Sequence, residues 1–181
     1  YAVTGVQTCA LPISLVRATA RIAVLSAVLV SVACSPTFNW RNVPLPGASL
    51  QAQMPCKPER AERQVPLTES GTTLRLLSCE AGGLTFALAW AAVPADQGQA
   101  LALDNWQQAG WASLRLPPGA PAGASAAAPA GWTAWASHLP RAQHLRGWQG
   151  EGLDHLGKPV SARQLYFSHE GTVYQAAVYG S

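Results

Sequence analysis

Between Leu84 and Ala91 the chain alternates large and small residues without interruption. Leu84, Phe86, Leu88 and Trp90 fall on one side, and Thr85, Ala87, Ala89 and Ala91 on the other. A period of two is the signature of a strand, because successive side chains point to opposite faces. One face is large and buried; the other is small, as suits a helix packed closely over it. Ala81-Gly82-Gly83 makes a tight hairpin that joins this strand to a preceding one at Thr73–Cys79.

The remaining elements arrange themselves around that hairpin. Short strands are expected at Phe38–Val43 and Ala48–Met54, on either side of the turn Pro44-Leu45-Pro46-Gly47. Pro55 and Pro58 end the second of these, since proline cannot donate to a ladder. Residues 59–64 read as a polar connection to a further strand at Val65–Thr68, and Glu69-Ser70-Gly71 as a turn. Asp96 can cap a helix at Gln97, with Gln99 completing a capping-box-like pattern. Leu103, Trp106, Gly110 and Leu114 then recur at helical spacing until Pro117-Pro118 stop the helix. Residues 117–131, almost wholly Pro, Gly, Ala and Ser, read as a flexible excursion inside the domain. After it, Trp132–His138 and His144–Trp148 are expected as short strands, Val160–Ser168 and Val173–Tyr179 as longer ones. Gly157-Lys158-Pro159 launches the third of these, and His169-Glu170-Gly171-Thr172 turns it into the fourth. The pattern predicts an α+β fold, an antiparallel β-sheet with one main helix packed on it. The chain halts at Gly180-Ser181 with no polar tail, so a C-terminal truncation is expected.

The N-terminal region speaks to location. Val3 to Ile13 resemble the translation of a sequencing-library adapter, so residues 1–14 are set aside from the fold; the competing reading is a signal-peptide n-region. Residues 15–33 read as a signal peptide: Arg17 and Arg21, then the apolar run Ile22–Ala33, too short to span a bilayer that needs about twenty residues. Ser31 and Ala33 satisfy ordinary signal peptidase, while Cys34 directly after Ala33 fits a bacterial lipobox, with Ser31 where Leu is usual. Acylation of Cys34 would anchor the chain, each buried CH₂ adding about 0.8 kcal/mol of membrane affinity. Ser35 in place of Asp would direct such a lipoprotein to the outer membrane. The expected location is therefore the periplasm.

Residues 34–181 form one domain in this reading, with ten Lys/Arg against nine Asp/Glu. With no basic stripe, nucleic acid is not expected as a partner. Cys56 and Cys79 remain as a pair once Cys34 and Cys9 are set apart. In an oxidising compartment they are expected to bridge, closing a loop of about 24 residues for roughly 3 kcal/mol. A redox pair or half a metal site is the alternative, and neither Cys-x-x-Cys nor a nearby histidine accompanies them.

Chemistry-bearing residues are sparse. His138, His144, Glu151, Asp154 and His155 could offer imidazoles and carboxylates to a metal or to acid–base work, but their spacing matches no ligand motif. Gly147, Gly150, Gly152 and Gly157 around them suggest turns and exposed loops. No serine sits in a Gly-x-Ser-x-Gly elbow, and Gly82-Gly83 is a turn rather than a phosphate loop. Trp132, Trp135 and Trp148 could line a groove for a glycan or peptide, or else cover the sheet edge.

The succession Met54-Pro55-Cys56-Lys57-Pro58-Glu59, a strand ending at Cys79, Phe86-Ala87-Leu88-Ala89-Trp90, one helix, Gly157-Lys158-Pro159-Val160 and Val173-Tyr174-Gln175-Ala176 resembles a group of uncharacterised exported proteobacterial proteins with a PsbP-like fold. Cys56 stands where that group commonly has Gly. The resemblance covers Phe38 to Gly180 and implies an antiparallel sheet flanked by helices, continuing into a last helix and strand. It also implies a binding or assembly module without a cofactor, not an enzyme, whose partner is a protein or another component of the cell envelope. The rival expectation is a periplasmic metal-assisted enzyme using His138, His144 and His155.

Overall fold

The computed structural model describes residues 36–95, 98–117 and 128–180. The signal run, Cys34, the Asp96 cap and residues 118–127 of the Pro/Ala loop lie outside the described residues. The described strands are β1 (Arg41–Pro44), β2 (Gln51–Met54), β3 (Glu59–Val65), β4 (Thr72–Ala81), β5 (Leu84–Ala92), β6 (Thr133–Ala134), β7 (Gln143–Leu153), β8 (Pro159–His169) and β9 (Thr172–Gly180), with one helix, α1 (Gln99–Ser113), between β5 and β6. β1 and β2 form a separate hairpin, and the rest make a seven-stranded sheet in the order β3-β4-β5-β9-β8-β7-β6. Every neighbouring pair is antiparallel. The fold is α+β and dominated by its sheet.

Two consecutive meanders make up that sheet, and one long-range pairing, Leu88 of β5 opposite Ala176 of β9, joins them. Tight turns fix the registers. Gly82 and Gly83 both have positive φ, and so do Glu170 and Gly171. Those are the conformations that two-residue hairpins require to match strand twist.

The two faces of β5 meet different partners, as their side-chain sizes dictate. Ala89 and Ala91 lie with Leu74, Tyr166 and Val173 beneath Ala102, Leu103 and Trp106 of α1. The small side chains let the helix approach closely. Trp90 on the opposite face packs with Leu77, Phe167 and Tyr174 beneath Val43, Leu45 and Met54 of the β1–β2 hairpin. Trp111, at the C-terminal end of α1, is fully buried with Leu114, Trp132 and Ala162 in a third cluster.

Several local expectations need correction. Residues 59–64, expected as a polar connection, belong with Val65 to the edge strand β3, paired along its length with β4. Its side chains are almost all exposed, and Glu62 reaches across to Arg75 at 3.1 Å. Charged, two-sided polarity hides a strand from a periodicity search, yet it is how an edge avoids pairing with another chain. Residues 66–71, by contrast, form the turn between β3 and β4, where the Gly71 N–H donates to the Thr68 carbonyl. The helix starts at Gln99 with Gly98 as N-cap and no side-chain cap bond. Gln99 donates instead to the Val93 carbonyl at 2.6 Å.

β7 departs furthest from expectation. It runs eleven residues, and Gly147, Gly150 and Gly152 lie inside it, not in turns. A β-carbon at Gly147 would stand 2.7 Å from the Trp135 ring, one at Gly150 2.6 Å from Trp132, and one at Gly152 2.8 Å from Leu114. The glycines are thus seats for large side chains folded over the edge of the sheet. Gly150→Val is expected to cost upwards of about 1–3 kcal/mol through overpacking, measurable by urea denaturation. Of the expected strand Trp132–His138, only Thr133–Ala134 pairs with β7. The indoles on either side turn away to opposite faces and donate to the carbonyls of Glu151 and Trp148.

Beneath α1 lies a buried polar ladder. Gln175 donates to the Tyr166 hydroxyl at 2.9 Å, Tyr166 donates to Gln164 at 3.1 Å, and Gln164 donates to the Tyr179 hydroxyl at 3.3 Å. Burial disfavours phenolate, so Tyr166, Tyr174 and Tyr179 all titrate above the usual tyrosine range. The unfolded chain therefore releases these protons first. Their stabilisation is complete below about pH 10 and is lost as pH rises beyond it, by up to about 1.4 kcal/mol per pH unit for each tyrosine. Denaturant midpoints are expected to fall steeply between about pH 9.5 and 11, and the slope should be shallower in Tyr166→Phe.

Candidate functional site

The face of the sheet opposite α1 is only partly roofed. The β1–β2 hairpin covers Trp90, Tyr174 and Phe167, while Phe86, Leu88 and Leu165 are left half-buried. Between hairpin and sheet runs a cleft of about 500 Å³, within the size range of ligand sites. Its floor is Phe86 and Leu88 of β5, Ala176 and Val178 of β9, and Leu165 of β8; its roof is Leu45, Leu50, Ala52 and Met54. Ala176 lies between Leu88 on one side and Leu165 on the other, which lowers the floor at its centre.

The roof is held at both ends. The Trp90 indole N–H donates to the Pro46 carbonyl at 3.2 Å. Past β2, Cys56 is disulfide-bonded to Cys79 of β4, with Cα atoms 5.9 Å apart. Cys79 faces the cleft side and pairs with Phe86, which Phe38 meets edge-on at 6.2 Å. The expected disulfide is thus present, and it fastens the hairpin to the sheet beside the cleft.

Aromatic and polar groups mark the rim. Trp40 is 60% exposed. Trp135, seated on Gly147, lies under the guanidinium of Arg163 with 5.3 Å between charge and ring centre. Arg163 donates from Nε and Nη2 to a single acceptor, Gln149 Oε1, at 3.1 and 2.7 Å. Among the described residues it is the one charged residue lining the cleft, and it has no carboxylate partner there. Such a site can solvate an apolar molecule and orient one polar end; its other polar groups are Gln51, Gln53 and Tyr174.

The three tryptophans singled out in the sequence do not share one groove. Trp132 and Trp148 stand on the helix side, both edge-on to Trp111 with ring centres 6.3 and 5.6 Å away. Trp148 donates there to Gln107 at 2.7 Å. Trp135 alone lines the cleft. Position in the chain could not separate them, because the segment crosses the sheet edge between Trp132 and Trp135.

The three histidines do not gather into one site either. His144 is at the start of β7 and His155 beyond its end, so about 30 Å of strand separates them at about 3.3 Å per residue. His138 lies in the connection from β6 to β7. Glu151 is exposed on β7. Asp154 accepts the N–H groups of Leu156 and Lys158, both at 2.8 Å. Those bonds, the one from Lys158 foremost, hold its carboxyl below the usual range, and they close the β7–β8 turn. Among the described residues no group of three His, Cys, Asp or Glu side chains could hold a metal ion, and no helix is long and apolar enough to cross a membrane.

Among the described residues, fold and site together define an antiparallel sheet with one helix on one face and an apolar cleft beneath a disulfide-fastened hairpin on the other. No protein-family profile matches the chain, and neither a curated protein nor a solved structure does.

Proposed function

We propose that this chain is a non-catalytic, exported binding module of the bacterial periplasm, anchored by acylated Cys34 to the outer membrane, and that the cleft under the β1–β2 hairpin is where it binds. The cleft carries this reading: a space of about 500 Å³, lined mostly by apolar side chains, that the protein's own hairpin leaves open. A concave, mostly apolar space of that volume lies in the range of small-molecule sites. Export is supported by the arginine, apolar and small-residue succession ending in Ser31-Val32-Ala33-Cys34. The Cys56–Cys79 bridge agrees with it, since such bonds persist in oxidising compartments. The PsbP-like resemblance adds that relatives of this layout serve mainly as binding or assembly modules.

The binding half of the reading is tested with the neutral fluorophore N-phenyl-1-naphthylamine. Saturable fluorescence enhancement is expected with the native chain and its loss in Ala176→Phe, which fills the centre of the floor without removing a core side chain. Equal enhancement by both proteins overturns the assignment of the site. The anchoring half is tested with labelled palmitate: incorporation should vanish in Cys34→Ser, and an unlabelled native chain would remove the anchor.

A further inference from the structure

Resting on that binding reading, we propose that the cleft takes a single-chain aliphatic carboxylate, a long-chain fatty acid, with its tail between Leu50, Leu88 and Leu165 and its carboxylate on Arg163. The lining sets the chemistry of the ligand. A tail between Leu50, Leu88 and Leu165 meets mostly hydrocarbon from hairpin and sheet, whereas the one charge the cleft presents among the described residues is a cation at its rim. An occupant that is apolar along its length and anionic at one end complements both.

The geometry of Arg163 carries the anionic end. A guanidinium has five N–H donors in a rigid fork suited to two carboxylate oxygens. Here Nε and Nη2 converge on the same neutral oxygen of Gln149, at 3.1 and 2.7 Å. No donor of Arg163 is bonded to a carboxylate among the described residues. Glu151, two residues beyond Gln149 on β7 and so on the same face, makes no ion pair with it. The Trp135 ring 5.3 Å from the guanidinium carbon supports it as a cation. The arginine is thus held at the mouth of the cleft by a neutral acceptor, with no carboxylate against its charge among the described residues.

A second copy of the chain or an anionic bilayer would also cover apolar surface. The observation favouring a small amphiphile is the shape: the tail site is a concave cleft of about 500 Å³ between the sheet and a hairpin tied down at Pro46 and at Cys56, the size of a small-ligand site.

The test displaces N-phenyl-1-naphthylamine from the full exported chain, carrying Cys34→Ser so that no attached lipid competes. Oleate is expected to displace the dye at about tenfold lower concentration than oleyl alcohol, which has the same tail and no charge. In Arg163→Gln the potency of oleate relative to oleyl alcohol should fall to about one, and Arg163→Lys should restore part of the difference. Oleate and oleyl alcohol of equal potency, or an unchanged preference in Arg163→Gln, overturns the carboxylate assignment and leaves the binding reading standing. Dye that never binds overturns the binding reading itself. Dye displacement only by anionic vesicles or by self-association, with oleate inert, assigns the cleft to those occupants and overturns the proposal.

Discussion

Trp111→Ala is expected to destabilise the domain by about 3–5 kcal/mol, the range for removing a fully buried large aromatic. Trp111 has no exposed surface and sits where three structural problems are solved together. It ends the buried stripe of α1, it packs edge-on to Trp132 and Trp148, and it backs the segment that folds over Gly150. Edge-to-face pairs of this kind add about 0.5–1.5 kcal/mol each beyond area burial. Trp111→Phe gives an informative contrast. The indole N–H of Trp111 is buried without a hydrogen-bond partner among the described residues, and an unsatisfied buried donor costs about 1–3 kcal/mol. Phenylalanine loses some contact area but removes that orphan donor, so its cost should be well below that of alanine. Urea denaturation of both variants measures the difference, and a phenylalanine variant as unstable as the alanine one would show that the N–H is satisfied after all.

Breaking the Cys56–Cys79 bridge with Cys56→Ser/Cys79→Ser is expected to cost roughly 3 kcal/mol, the chain-entropy value for a loop of about 24 residues. The structural consequence should be localised. The bridge ties the end of β2 to β4 beside Phe86, while the other end of the hairpin is held by the Trp90 bond to Pro46. Without the bridge, amide exchange should accelerate in β1, β2 and residues 55–58 well before it does in β8 and β9, because a hairpin tethered at one end opens at small free energy. Binding of N-phenyl-1-naphthylamine should weaken in parallel, since the roof of the cleft is what loosens. Uniform acceleration across the sheet would mean that the bridge acts on the unfolded chain alone.

The sequence displayed its architecture where side-chain size alternates and where turn geometry is forced. Leu84–Ala91 named its own two faces, and Gly82-Gly83 and Glu170-Gly171 marked the hairpins. The edge strand β3 was invisible because both its faces are wet, so no period of two survives in its hydrophobicity. β7 was misread for a different reason. Its glycines answer to Trp135, Trp132 and Leu114, residues brought against it only by the tertiary fold, and local propensity reads glycine as a turn. The helix offered Leu103 and Trp106 at regular spacing, but its buried Gln107 and Trp111 belong to a polar and aromatic arrangement that no hydrophobic pattern encodes.

The cleft itself was half legible. The large face of β5 announced apolar surface needing cover, and the cysteine pair announced a tie between the end of β2 and β4. What could not be read was that the hairpin covers only one end of that face, because this depends on where Trp90 meets Pro46. The tryptophan cluster was read as one feature and is two, divided by the sheet edge. Arg163 carried no signal at all, since one arginine in an alternating strand looks like any solvent-facing residue until Trp135 and Gln149 are placed around it.

The central claim is that the space under the β1–β2 hairpin binds an apolar molecule, and methyl-resolved NMR tests it most directly. On titration with N-phenyl-1-naphthylamine, saturable shifts and intermolecular contacts are predicted at the methyl groups of Leu50, Leu88 and Leu165, with Leu74 and Leu103 beneath the helix unmoved. Contacts confined to the helix side, or no saturable change at Leu50, Leu88 and Leu165, would contradict it.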